Sequence, residues 1–126
     1  MKKIVWLMGI LLTMEACEKI PINGKLDGRW QLMNIEYPNG TSESPERTYY
    51  SVQLHMINLY KVGGANLYGT FAHEDDSLHI VMRQTVKEAV KSFGINDTIV
   101  SLGVETLTSN RMILSGSYAR LSFRKF

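Results

Sequence analysis

The chain has 126 residues, 14 Lys and Arg against 12 Asp and Glu, and a formal charge of +2. That length allows one domain with a modest core, and so small a charge gives no field to steer the chain onto DNA or RNA, which sets nucleic acid aside as a partner. The single cysteine excludes an intrachain disulfide, so the fold must hold by packing alone.

Met1-Lys2-Lys3 is a positive start, and Ile4 to Leu12 is an apolar run. The run has the length of a signal-peptide core and falls short of the roughly 20 residues that span a bilayer. Thr13-Met14-Glu15-Ala16-Cys17 follows, and it resembles the lipobox of bacterial lipoproteins. Ala16 is the small residue before the cysteine and Met14 takes the aliphatic position, while Glu15 departs from the small or branched residue usual there. The resemblance implies a signal peptide over 1–16, lipid on Cys17 and a lipidated tether over 17–25. Two or more acyl chains, at ~0.8 kcal/mol per buried CH₂, hold a protein stably at a membrane. The expected location is the cell envelope, with the outer membrane favoured and the domain in the periplasm or at the cell surface.

From Leu26 onward, short runs rich in Val, Ile, Tyr, Thr and Phe alternate with Gly, Asn, Asp and Ser clusters, the pattern of strands and turns. Gly28 to Tyr37 places Trp30 and Leu32 on one face, then Met33, Ile35 and Tyr37 on the other, which predicts a bulge or bend. Pro38 to Thr48 is a polar loop with two prolines, long enough to suggest a functional role. Tyr50 to Val62 reads as one long strand with Tyr50, Val52, Leu54, Met56, Tyr60 and Val62 on one face, Ile57 and Leu59 being apolar exceptions on the other. Further strands are expected at Asn66 to His73, Ser77 to Met82, Thr98 to Leu107, Arg111 to Ser115 and Ser117 to Phe126. Between them, Gln84 to Gly94 carries Val86, Ala89, Val90 and Phe93 at i, i+3, i+4 and i+7 and predicts one short amphipathic helix ending at Gly94. The sum is an all-β domain over 26–126, a small antiparallel β-barrel with one short helix.

Two stretches resemble the lipocalins. Leu26-Asp27-Gly28-Arg29-Trp30 is similar to the Gly-X-Trp opening of the first lipocalin strand, and Leu121-Ser122-Phe123-Arg124-Lys125-Phe126 to the closing strand of small lipocalin-like lipoproteins of Gram-negative bacteria. The resemblance implies that Gly28 and Trp30 close one end of the barrel with Arg124 packed across the indole, a cation–π contact worth ~0.5–2 kcal/mol. It also implies that Pro38 to Thr48 lids the other end. The helix stands before the last three strands instead of after the barrel, and the disulfides of secreted lipocalins are missing.

The expected inner face comprises Trp30, Tyr50, Val52, Leu54, Met56, Tyr60, Leu67, Phe71, Leu78, Ile80, Met82, Val100, Leu102, Val104, Met112, Leu114, Leu121 and Phe123. An eight-stranded barrel holds either those side chains alone or one small ligand besides. The expected ligand is small and apolar, in a pocket near Tyr50, Met56, Tyr60 and Phe71. The alternative is a filled barrel serving as an interaction or structural module for a protein or glycan partner at the cell surface, using outward residues such as Ile57 and Leu59. Nothing points to an enzyme. No serine sits in Gly-X-Ser-X-Gly, and His73-Glu74-Asp75-Asp76, with His79 nearby, is explained by turn formation before metal binding. No cofactor or metal is expected.

Overall fold

The computed structural model describes residues 23–126. The leader over 1–16, Cys17 and most of the tether therefore lie outside the described residues.

A single 3₁₀ turn, Gly24–Leu26, leads into β1 (Gly28–Glu36). The stub β2 (Ser42–Glu43) and the strands β3 (Thr48–Gln53), β4 (Met56–Lys61), β5 (Asn66–Glu74) and β6 (Ser77–Arg83) follow. The helix α1 (Lys87–Val90), continued by a 3₁₀ turn over Lys91–Phe93, precedes β7 (Ile99–Leu107), β8 (Arg111–Ser115) and β9 (Arg120–Lys125). All neighbours pair antiparallel, and β1 pairs both β3 and β9, so eight strands close on themselves. The closing seam runs from Trp30 opposite Lys125 to Glu36 opposite Arg120. The predicted bulge in β1 is present: the register against β9 shifts between Leu32 and Asn34. One inserted residue turns Met33 outward and returns Ile35 to the interior, where it is fully buried.

The long strand expected over Tyr50 to Val62 is instead a hairpin. Val52 stands opposite Ile57 and Gln53 opposite Met56, leaving the two-residue turn Leu54-His55. Residues that face each other across a hairpin share a face, so the turn carries the interior from the even positions Tyr50 and Val52 to the odd positions Ile57 and Leu59. Ile57 and Leu59 are buried, whereas Leu54 and Met56 are 57% and 52% exposed. The inward placement expected for Leu54, Met56, Tyr60 and Val62, and the outward placement of Ile57 and Leu59, are corrected accordingly. The turn escapes sequence reading because Leu54 adopts φ +56° without being Gly, Asn or Asp.

The expected helix shrinks to α1 and its 3₁₀ continuation, ending at Gly94 with φ +86°. Val90 and Phe93 are buried as the periodicity implies, while Val86 caps the helix from outside and is exposed. A Cβ on Gly94 would collide with a Leu121 methyl, so glycine here serves both the left-handed turn and the close approach of this segment to the barrel. The Pro38 to Thr48 loop folds back on the β1 edge through the stub β2, with Ile35 opposite Glu43.

Candidate functional site

The barrel interior is built from the inward side chains of all eight strands. On the β1, β3 and β9 side it is filled by aromatic rings. The Tyr50 ring packs edge-on against Phe123 at 4.8 Å and against Phe93 at 6.4 Å between centroids. Phe93 enters from the segment between β6 and β7, so that segment, with Val90 and Ile95 also buried in the core, covers this end of the barrel. The Tyr50 hydroxyl donates to the Phe93 carbonyl at 2.5 Å. Burial pushes the Tyr50 phenol well above its ordinary range. At the same end the Lys61 ammonium donates to the buried Thr48 hydroxyl at 3.0 Å and lies 5.6 Å from the Phe93 ring centre.

The opposite end is closed around Trp30. Its indole N–H donates to the Leu26 carbonyl at 2.9 Å, and both residues are fully buried. The cation across the indole is Lys125, with Nζ 4.3 Å from the ring centre, and not Arg124. Alternation explains the correction. Leu121 and Phe123 point inward, so Lys125 does too, and Arg124 faces out, where it donates to Gln31 at 3.0 Å. The Lys125 ammonium also donates to the Asp27 and Lys25 carbonyls. Partial burial lowers its pKa, opposed by the nearby Asp27 charge. Gly28 adopts φ +120°, a conformation that strains any side chain, and a Cβ there would fall 2.7 Å from Lys125 Cε and push the end of this lysine aside. The Gly-X-Trp spacing thus has a local cause: the glycine clears the path of the lysine that covers the tryptophan.

The β5 to β7 wall differs. Phe71, Ile80 and Val100 stand opposite one another across β5, β6 and β7. Ile80 is fully buried, so this is the inner face, yet Phe71 and Val100 are only partly buried. Leu67 beside buried Leu59, and Val104 beside buried Leu114, behave in the same way. These apolar side chains face the interior, pack against the core and keep some contact with solvent. Apart from His73 at its end, opposite Leu78, this wall is apolar, so it can take a hydrocarbon or aromatic group by desolvation.

Of the four residues expected to line a pocket, Tyr50 and Phe71 face inward, from β3 and β5, with β4 between them. Met56 and Tyr60 lie on the outer surface, where Tyr60 stacks on Tyr49 at 5.2 Å. Sequence reading missed Lys61, Thr48 and Lys125, inward polar groups whose only signal is strand parity. Among the described residues no group of three or more His, Cys, Asp and Glu could hold a metal ion. His79 donates or accepts with the Ser101 hydroxyl at 2.7 Å, and His73 is exposed.

The sequence model of a lipocalin-like domain family matches residues 10–126. Among solved structures, the chain is similar to a lipocalin-like protein from Bacteroides uniformis ATCC 8492, with 26% identity and a TM-score of 0.71 over 82% of this chain and 100% of that one. It shares its fold with an uncharacterized protein from Bacteroides eggerthii DSM 20697, at 22% identity and a TM-score of 0.67, over 80% of this chain and 99% of that one. No curated protein matches the chain.

Proposed function

The chain belongs to the lipocalin-like domain family, and from that premise we propose that it is a non-enzymatic binding module, tethered to a bacterial membrane by lipid on Cys17, that takes one small apolar ligand against the β5 to β7 wall. The observation that carries the ligand reading is the pairing of fully buried Ile80 with partly buried Phe71 and Val100 on one inward face. The edge-on cluster of Phe93, Tyr50 and Phe123 fills the β1, β3 and β9 side, which favours a slender or single-ring ligand.

The test is a titration of residues 23–126 with a fatty acid whose fluorescence rises on leaving water. Saturable binding at one site is expected. Val100→Phe, which enlarges the inward side chain across Ile80 from Phe71, should weaken it at least tenfold while the domain stays folded. Absence of binding in the parent domain, or undiminished binding in the variant, overturns the interior site.

The anchor is supported by the charged start, the apolar run and the Ala16-Cys17 junction together. Cells fed labelled palmitate should incorporate it into the chain and fail to do so with Cys17→Ala. Label retained by the variant would remove Cys17 as the acceptor. The outer membrane is the proposed location, and fractionation of the same cells tests it.

A further inference from the structure

On the outside of the barrel, β1, β3, β4 and β5 carry a groove of about 440 Å³ lined by Arg29, Ser51, Gln53, Leu54, Met56, Asn58 and Tyr68. Its volume lies in the range of small-ligand sites. Strand register builds it directly: Arg29 stands opposite Ser51, Ser51 opposite Asn58, and Asn58 opposite Tyr68. Two short polar side chains therefore make the floor, between a long cation and an aromatic ring as walls.

Arg29 is held in place. Its guanidinium carbon lies 5.4 Å from the Tyr60 ring centre, 5.7 Å from that of Phe126 and 5.9 Å from that of Tyr49. Those rings also pack on one another, Tyr49 stacking on Tyr60 at 5.2 Å and meeting Phe126 edge-on at 5.0 Å. Aromatic contacts are made with the face of a guanidinium, which leaves the N–H groups at its edge for a planar acceptor. Among the described residues Arg29 has no carboxylate partner. The nearest acid in sequence, Asp27, accepts from the Asn23 backbone and side chain through its two oxygens. The groove lining contains no acidic residue. Ser51 and Gln53 make no side-chain hydrogen bond to the described residues, and Tyr68 is 49% exposed.

We propose that this outer groove binds a carboxylate-bearing saccharide. The Arg29 edge accommodates the carboxylate through two parallel charge-assisted hydrogen bonds. The Ser51 hydroxyl and the Gln53 amide donate to and accept from sugar hydroxyls. The Tyr68 ring offers its negative face to the slightly positive C–H groups of the sugar's apolar side. A bare hydrocarbon would leave Ser51, Gln53 and the guanidinium desolvated and unpaired, and so is disfavoured here. A neutral sugar would leave the cation unmatched. Because the aromatic rings already restrict Arg29, little of its rotamer freedom remains to be lost on binding.

The full-length chain, purified from membranes, is titrated with trigalacturonate, a glucuronate trisaccharide and sialyllactose, and with galactotriose and lactose as neutral counterparts. At least one acidic saccharide should bind saturably, and its neutral counterpart should bind at least tenfold more weakly. Arg29→Gln and, separately, Tyr68→Ala should each lower the acidic saccharide's affinity at least tenfold. Tyr68 is exposed, so Tyr68→Ala keeps its melting temperature and reports on the groove even where Arg29→Gln loosens the aromatic cluster. The proposal is overturned when no acidic saccharide binds, when the neutral counterparts bind equally well, or when binding survives Tyr68→Ala. Fatty-acid binding inside the barrel is unaffected by either variant, so the two sites succeed or fail separately.

Discussion

The Tyr50 hydroxyl and the Phe93 carbonyl, 43 residues apart in sequence, meet at 2.5 Å in the barrel interior. This hydrogen bond ties β3 to the segment that covers the end of the barrel. Tyr50→Phe keeps the ring stack and removes only the donor. A buried carbonyl without a partner costs about 1–3 kcal/mol, and that loss of unfolding free energy is expected in urea titration. A loss below the error of the titration would mean that the carbonyl finds water in the variant.

The same residue gives the domain an alkaline limit. Burial raises the Tyr50 pKa above its ordinary value of 10.0. The folded state therefore keeps a proton that the unfolded chain releases above pH 10. The contribution is fully present below pH 10 and falls as pH rises, by up to about 1.4 kcal/mol per unit. Urea titrations between pH 9 and pH 11 should show a steeper decline in the parent than in Tyr50→Phe.

Adjacent cations in β9 should have unequal weight. Lys125→Ala removes the contact with the Trp30 ring and two hydrogen bonds to backbone carbonyls. A loss of about 1–2 kcal/mol is expected, from a cation–π contact of ~0.5–2 kcal/mol and partly buried acceptors. Arg124→Ala removes one exposed hydrogen bond to Gln31 and should stay within about 0.5 kcal/mol. Equal effects in thermal or chemical unfolding would contradict the assignment of Lys125 to the Trp30 ring.

One substitution should stabilise. Leu54 sits at φ +56° in the turn between β3 and β4 and is 57% exposed. The left-handed conformation costs a non-glycine residue roughly 1–2 kcal/mol, and glycine returns about 0.5–1 kcal/mol of that through its greater unfolded-state entropy. Leu54→Gly is expected to raise stability by roughly 0.5–1 kcal/mol, read as a higher denaturation midpoint at constant slope.

The architecture was legible because strand alternation and the helix periodicity each left a mark. The switch from Trp30 and Leu32 to Ile35 announced the bulge in β1, which the register confirms. An equivalent switch, from Tyr50 and Val52 to Ile57 and Leu59, announced the turn at Leu54-His55, but without a turn residue it read as two exceptions in one strand. That misplaced turn put Met56 and Tyr60 inside. The Trp30 closure was legible through Gly-X-Trp, yet its cation was displaced by one residue because parity in β9 is fixed by Leu121 and Phe123. The partial burial of Phe71 and Val100 had no sequence signal, since it depends on how strands far apart in the chain curve past one another.

Methyl NMR of residues 23–126, titrated with decanoate, tests the interior site most directly. The Leu67, Val100 and Val104 methyls should shift together along one saturable curve, with the Leu54 and Ile99 methyls on the outside unmoved. Decanoate that leaves those three inward methyls unmoved, or that shifts only the outer ones, would contradict a ligand-holding barrel.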